Sequence, residues 1–158
     1  MNDYLLGLIY KYQNLGILVD TNVALLYLVG SCEIRLIRET KRTAVYSEKD
    51  FEKVSKFIEK FQLKITTPNV LTEISNLLPN RPEIASVLRQ FISGTSENYV
   101  ASPNLTNSPA FVEFGLADAS IFETAKNKYL VFTDDGPLTG YLINMGVDVV
   151  QMDSVRAI

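Results

Sequence analysis

Five acidic residues stand where they can contribute to the same chemistry. Three of them follow apolar runs that predict buried strands, and the other two lie near the starts of predicted helices. They are Asp20, Asp134 and Asp135 after strands, and Glu73 and Asp118 in helices. Carboxylate oxygens are the ligands that hard divalent cations such as Mg²⁺ prefer. The pattern therefore indicates a metal-dependent site if the fold brings these acids to one place.

Composition narrows the chemistry further. The chain has 158 residues, a formal charge of −3, no histidine and a single cysteine, Cys32. This excludes histidine bases, histidine metal ligands, intramolecular disulfides and zinc sites built from several thiolates. A negative chain does not attract nucleic acid as a whole, so such binding needs a local basic patch. The lone cysteine suits a reducing, cytoplasmic location.

The elements that must position the acids alternate between strands and helices. Apolar runs predict four strands, over 17–19, 63–65, 129–132 and 147–152. The segments between them predict helices over 23–28, 51–61, 68–78, 84–92, 114–125 and 138–145. This order predicts an α/β fold whose mostly parallel sheet carries helices on both faces. Ligands gather at the carboxyl ends of such strands, where we expect the acids to meet.

Length and apolar content favour one domain over 1–158. Residues 1–16 predict a helical extension rather than a signal peptide, because Asp3 precedes its apolar block and Lys11 interrupts it. This helix is expected to dock on the domain, or to support a homodimer through an exposed face. No run reaches the length of a membrane span. Prolines and asparagines over 102–108 predict a loop.

Positive charge is densest over 31–45, a segment that contains Arg35, Arg38, Lys41 and Arg42. One interpretation is an ordinary solvated surface, and the other is a basic insertion that contacts phosphate groups. Downstream, Ser47 and Asp50 predict a capping box, and Thr67 followed by Pro68 predicts a capped helix start.

Each acid taken alone has a purely structural explanation. Asp20 can cap the next helix, Glu73 can be a solvated charge and Asp118 can complement a helix dipole. Asp134 or Asp135 can form a turn. Taken together, acids crowded at one sheet edge would repel one another and raise their pKa values unless cations neutralise them.

Four short motifs resemble the acidic motifs of PIN-domain nucleases, in the same order and on the same kinds of element. They are Val19-Asp20-Thr21-Asn22, Thr67-Pro68-Asn69-Val70-Leu71-Thr72-Glu73-Ile74, Gly115-Leu116-Ala117-Asp118-Ala119 and Phe132-Thr133-Asp134-Asp135. The likeness covers about residues 17–152 and includes the VapC-type toxin ribonucleases. It implies a PIN-like three-layer α/β/α sandwich. It also implies an endoribonuclease that needs Mg²⁺ or Mn²⁺ and hydrolyses mainly single-stranded RNA.

The resemblance also implies roles for individual residues. Asp20, Glu73, Asp118 and Asp135 match the metal-binding, catalytic acids of the family. Asn22, Thr133 and Asp134 match supporting positions, although Asn22 can be a helix-start residue and Asp134 an auxiliary ligand or a turn residue. In this setting Arg35, Arg38, Lys41 and Arg42 are the expected RNA-binding residues, or else they cover the site or contact a partner protein.

Two departures from the toxins leave the biological setting open. The extension 1–16 precedes the first strand, whereas toxin chains commonly begin almost at that strand. The spacing from Asp20 to Glu73 is also long, which makes 31–45 an insertion. The chain is therefore expected to be either a toxin with an antitoxin partner or an RNA-processing or defence nuclease.

Two other classes of function compete with the nuclease. A PIN-like scaffold would bind RNA or protein without cutting it, but the intact acid set argues against this. A phosphatase-like or receiver-like domain would use an acidic Mg²⁺ pocket and a phosphate-accepting Asp. Position 22 is Asn where the phosphatase needs a second Asp, and the last strand leads to Gln151, Met152 and Asp153 rather than to a lysine.

Overall fold

The computed structural model describes residues 3–158, which form ten helices and five strands. The strands are β1 (Ile17–Val19), β2 (Lys64–Thr66), β3 (Ser96–Glu97), β4 (Leu130–Thr133) and β5 (Val149–Gln151). The first five helices are α1 (Asp3–Tyr12), α2 (Thr21–Cys32), α3 (Leu36–Glu39), α4 (Glu48–Ile58) and α5 (Pro68–Leu77). The other five are α6 (Pro82–Ser93), α7 (Ser102–Thr106), α8 (Phe111–Ala125), α9 (Gly136–Asn144) and α10 (Met152–Arg156).

The five strands form one sheet in the order β3-β2-β1-β4-β5, and every neighbouring pair is parallel. Helices flank this sheet in a three-layer α/β/α sandwich, so the predicted fold class is confirmed. β1 and β4 lie side by side at the centre, and all their residues are buried. Central apolar strands of this kind are typical of a parallel sheet covered on both faces. The carboxyl end of β1 therefore lies beside the carboxyl end of β4.

The predicted helix starts have the expected hydrogen bonds. Ser47 and Asp50 form a reciprocal capping box at the start of α4. The Thr67 hydroxyl accepts a hydrogen bond of 3.2 Å from the Val70 amide, and Pro68 occupies the first turn of α5. α5 begins immediately after β2, so its first turn opens at the carboxyl edge of the sheet.

One local prediction is wrong, and one strand was not predicted. The predicted loop over 102–108 contains helix α7, because Pro103 stands in the first turn, where proline's missing amide proton is not needed. Edge strand β3 was not predicted, since its two residues are exposed and polar and carry no apolar pattern. It nevertheless extends the sheet, and the Asn98 amide continues the pairing to the Thr66 carbonyl at 2.9 Å.

The predicted N-terminal helix is present as α1, although Met1 and Asn2 lie outside the described residues. It buries Leu5, Leu8 and Tyr12 in the same apolar cluster that fills both sides of the sheet. The basic segment over 31–45 is also packed into the fold, since Leu36, Ile37 and Thr43 are buried while its cationic side chains are exposed. In the part of the chain that the structure describes, no helix has the length and apolar character needed to cross a membrane.

Candidate active site

Asp20 lies at the carboxyl end of β1 and is the N-cap of α2. The residue is 6% exposed, and its carboxylate accepts two hydrogen bonds of 2.6 Å, from the Thr21 amide to Oδ1 and from the Thr133 hydroxyl to Oδ2. Burial raises the pKa of Asp20 to about 6, and the charges of Asp134 and Asp135 act in the same direction, while the two hydrogen bonds oppose the rise. A carboxylate that folding makes so costly to ionise is typical of a functional site.

The second acid, Asp135, follows β4 and is held in place by Thr133, the last residue of that strand. The buried Thr133 hydroxyl donates to Asp20 and accepts a 3.0 Å hydrogen bond from the Asp135 amide. Asp135 is the N-cap of α9, where its Oδ1 accepts a 2.8 Å hydrogen bond from the Leu138 amide. Thr133 therefore fixes the position of Asp135 relative to Asp20.

Glu73 reaches the site from α5. The Thr21 hydroxyl donates a 3.1 Å hydrogen bond to Glu73 Oε2, which ties this side chain to the residue after Asp20. The first turn of α5 is tied in turn to α8, because the buried hydroxyls of Thr67 and Ser120 are 2.7 Å apart. Helices α5 and α8, which carry Glu73 and Asp118, are thus joined by a direct hydrogen bond.

Asp118 lies just beyond a break in α8. Gly115 interrupts the helix with φ 80° and ψ −172°, a conformation that only glycine adopts easily, so Asp118 falls in the first turn of the restarted helix. The carboxylate has no hydrogen-bond partner within residues 3–158. The pKa of Asp118 is raised to about 7. Burial is the largest cause, and the charges of Asp20, Asp135 and Glu73 add to the rise. All three other matched acids therefore lie near enough to Asp118 to repel it.

Asp134 lies near enough to Asp20 for its charge to help raise the pKa of that residue, and its own hydrogen-bond partner is Tyr46, directly after the basic segment. The Tyr46 hydroxyl donates a hydrogen bond to Asp134 Oδ2, while Oδ1 is buried without a partner among the described residues. Burial and this hydrogen bond raise the pKa of Tyr46. The Arg156 guanidinium lies 5.9 Å from the centre of the Tyr46 ring. Tyr46 thereby anchors the end of the basic segment to the strand end that carries Asp135.

A cleft of about 810 Å³, which we call the basic cleft, is lined in part by Asp134, the residue before Asp135. Lys41 and Arg42 line it from the basic segment, Arg81 lines it from the start of α6, and Asn22 and Asp134 also contribute. Of the other two predicted RNA-binding residues, Arg35 pairs with Glu33 and neither Arg35 nor Arg38 is in the lining. The four predicted cations are therefore divided between this cleft and the outer surface.

The acids fit a divalent cation by their chemistry, because all their donor atoms are carboxylate oxygens and their mutual repulsion is what a cation would relieve. Within residues 3–158, however, no three His, Cys, Asp or Glu side chains stand in an arrangement that could hold a metal ion without movement. Asp20, Glu73 and Asp135 each accept a hydrogen bond from a neighbouring group. Coordination of a metal ion would therefore require these side chains to move.

Several residues of the site had no signal of their own in the sequence. Thr21 and Ser120 are small hydroxyls whose partners lie far away in the chain, and Tyr46 and Arg81 stand outside the acidic motifs. Arg81 precedes Pro82 at a helix start, which predicted the helix but not the cleft.

Comparison with protein-family models gives no match, and comparison with curated proteins gives none either.

Proposed function

We propose that this protein is a metal-dependent endoribonuclease of the PIN type that hydrolyses phosphodiester bonds of single-stranded RNA. The observation that supports it most is the convergence of Asp20, Glu73 and Asp135 on Asp118, whose pKa their charges help to raise. These four residues, which we call the acidic group, come from four separate segments and meet at the ligand-binding edge of a parallel sheet. Repulsion among these carboxylates lowers the stability of the fold, and binding of a cation would offset this loss.

Each acid has a proposed role in this reaction. Asp20, Asp118 and Asp135 would hold the Mg²⁺ or Mn²⁺, and Glu73 would bind a second cation or orient the attacking water. When bound, the metal supplies a nucleophilic water at neutral pH and offsets charge on the scissile phosphate. Thr133 holds the Asp20 and Asp135 side of the group in place through its two hydrogen bonds. Attack by water leaves a 5′-phosphate and a 3′-hydroxyl.

The basic cleft supplies the charge that a substrate phosphate needs. Lys41, Arg42 and Arg81 have no ion-pair partner within residues 3–158, so their charges are free to meet phosphate oxygens. Because Asp134 lines this cleft and adjoins Asp135, a strand bound there leads towards the acidic group. A protein of net charge −3 can thus bind RNA through one local patch.

Purified protein should cut a mixed single-stranded RNA pool in Mg²⁺ or Mn²⁺ but not in EDTA, and the products should carry 5′-phosphates. Asp20→Asn should lower the rate by about 100-fold or more, because it removes one of the charges proposed to hold the metal. Glu48→Gln is a matched control, since Glu48 is an exposed acid outside the acidic group. Product ends are mapped by their sensitivity to a 5′-phosphate-dependent exonuclease.

Two results would contradict the nuclease. Cleavage that persists in EDTA, or an Asp20→Asn variant with full activity, would remove the metal site as assigned. Absence of cleavage with either metal, combined with RNA or protein binding that survives Asp20→Asn, would favour the non-catalytic scaffold.

RNA binding should depend on salt through Lys41 and Arg42 and not through Arg35 and Arg38. Replacing Lys41 and Arg42 together by alanine should reduce the slope of log affinity against log salt concentration by about 1.4, or about 0.7 for each lost phosphate contact. The double substitution of Arg35 and Arg38 removes the same charge from the same segment and should leave the slope unchanged. Equal slopes for both pairs would reject the basic cleft as the binding surface. Binding is measured in EDTA, so that cleavage does not interfere.

The biological setting remains a proposal with two branches. A toxin would have an antitoxin partner, and a neighbouring gene for a small DNA-binding protein would favour this branch. An RNA-processing or defence nuclease would have none. A homodimer through α1 stays a prediction, for which the exposed Tyr4, Leu6 and Tyr10 are the available apolar surface.

A further inference from the structure

A second cleft, of about 510 Å³, is lined by α5, as the basic cleft is. We call it the aromatic cleft, and its lining includes Glu73 and Asp118 of the acidic group together with Tyr99 and Phe114. Asn76 of α5 lines both clefts, so they meet at this helix. An RNA strand that passes the acidic group can therefore occupy both clefts at once.

The two clefts differ sharply in charge. The basic cleft has three cations, Lys41, Arg42 and Arg81, against two acids, whereas the lining of the aromatic cleft has two acids and no lysine or arginine. A phosphate group placed there would meet repulsion from Glu73 and Asp118. The neutral part of a nucleotide, its base, is not repelled in this way.

Tyr99 gives the aromatic cleft a surface on which a base can stack. It follows β3 at the carboxyl edge of the sheet, its side chain is 76% exposed, and no other ring of residues 3–158 stacks on it. Phe114 is instead held by Tyr141, with ring centres 5.2 Å apart, and forms a fixed part of the wall. An exposed tyrosine with a free face beside a catalytic edge is the arrangement by which proteins bind unpaired bases.

Polar groups around the ring can contact the edge of such a base. Asn69 and Asn76 project amides from α5, seven residues and about two helical turns apart, so they share one face of the helix. Ser102 adds a hydroxyl from the start of α7. Amides offer both a donor and an acceptor, which is what the hydrogen-bonding edge of a base requires.

We propose that the aromatic cleft is a nucleobase subsite in which Tyr99 stacks on an unpaired base next to the scissile phosphate. This inference rests on the proposed ribonuclease function and specifies its substrate. RNA must present at least one base that is free of its own helix, because a base that is paired and stacked cannot reach Tyr99. Regions of unpaired RNA, such as loops and single strands, are then cut, and continuous duplex is not.

The test compares Tyr99→Ala with Tyr99→Phe, which keeps the ring and loses only the hydroxyl. Binding of a short single-stranded RNA that contains 2-aminopurine is measured in EDTA, where stacking quenches the fluorescence of this base. Wild type and Tyr99→Phe should bind alike and quench the probe. Tyr99→Ala should bind about tenfold more weakly and lose the quenching, since one base stacked on an aromatic side chain contributes roughly that much. Tyr10→Ala, at an equally exposed tyrosine on α1, is the control.

Cleavage in Mg²⁺ separates failure of the subsite from failure of the function. Tyr99→Ala should raise KM for the single-stranded RNA while kcat changes little, because the base is held alike before and during reaction. If wild type cleaves RNA but Tyr99→Ala keeps its affinity, quenching and KM, the subsite is wrong and the nuclease stands. If wild type cleaves a continuous duplex as fast as a single strand, the subsite is also wrong. If wild type neither binds nor cleaves RNA, both proposals fail.

Discussion

Replacing Asp118 by asparagine should greatly reduce the rate of metal-dependent cleavage while it stabilises the metal-free protein. Asparagine has the same shape and removes a charge that burial and three neighbouring acids oppose. No hydrogen bond is lost, because the Asp118 carboxylate has no such partner within residues 3–158. The rate should fall about 100-fold or more, and the melting temperature in EDTA at pH 8 should rise by about 2–4 °C, which corresponds to about 1 kcal/mol after screening. Cleavage assays and thermal unfolding measure the two effects.

The pH dependence of stability tests whether charge repulsion is the reason why Asp118→Asn is expected to be more stable. The pKa of Asp20 rises from 3.8 to about 6 and that of Asp118 from 3.8 to about 7 on folding. The folded protein therefore binds more protons than the unfolded chain within this window, and its unfolding free energy should fall as pH rises from about 4 to about 7. In Asp118→Asn the fall should be smaller and end near the pKa of Asp20. Stability that rises across this window would contradict the proposed repulsion.

Adding Mg²⁺ at pH 8 should raise the unfolding free energy of wild type much more than that of Asp118→Asn. Binding to the folded state alone stabilises it in proportion to the logarithm of the metal concentration above Kd. An equal response of the two proteins would place the bound ion elsewhere.

Replacing Thr133 by valine should lower both stability and activity, although none of the proposed catalytic residues is replaced. Valine has the shape of threonine but leaves buried Asp20 without one of its two hydrogen bonds and the Asp135 amide without its acceptor. The expected loss of unfolding free energy is about 2–4 kcal/mol, because unsatisfied buried groups keep their full desolvation cost. Activity should fall about 10- to 100-fold in protein that is still folded, as for other residues that orient metal ligands. Denaturant unfolding and cleavage rates measure these losses.

Thr133→Ser is the matched control, because it keeps the hydroxyl and removes only a methyl group. Its activity should stay near that of wild type, with a modest loss of stability from the missing methyl group. If serine and valine lowered activity equally, the hydroxyl would not be the feature that positions the acids.

The centre of the fold could be predicted because β1 and β4 are apolar runs that end abruptly. Ile17–Val19 has no polar residue and is followed by a capping acid, so both the strand and the helix after it were evident. We expected the acids to meet at the carboxyl edge of the sheet but did not predict its strand order, in which the carboxyl ends of β1 and β4 are neighbours. Helix caps at Ser47 and Thr67 were equally local signals, because each depends on residues no more than three positions away.

The surroundings of the acids could not be predicted in the same way. Tyr46 meets Asp134 across 88 positions and Thr21 meets Glu73 across 52, and neither pair has a periodic pattern to reveal it. The charge run over 31–45 was visible, but only the folded chain divides it into cations that line the basic cleft and cations that do not. Tyr99 follows a two-residue strand with no apolar pattern, so nothing in the sequence pointed to a cleft at that position.

The hydrogen bond between Asp20 and Thr133 joins residues 113 positions apart, which has a consequence during synthesis on the ribosome. The growing chain exposes Asp20 early, but it lacks β4 and therefore both Thr133 and Asp135. Domains emerge from the amino-terminal side and complete their folding only when the partner strands are available. A nascent chain thus cannot assemble this site beside the RNA that encodes it until nearly all of the sheet has left the exit tunnel.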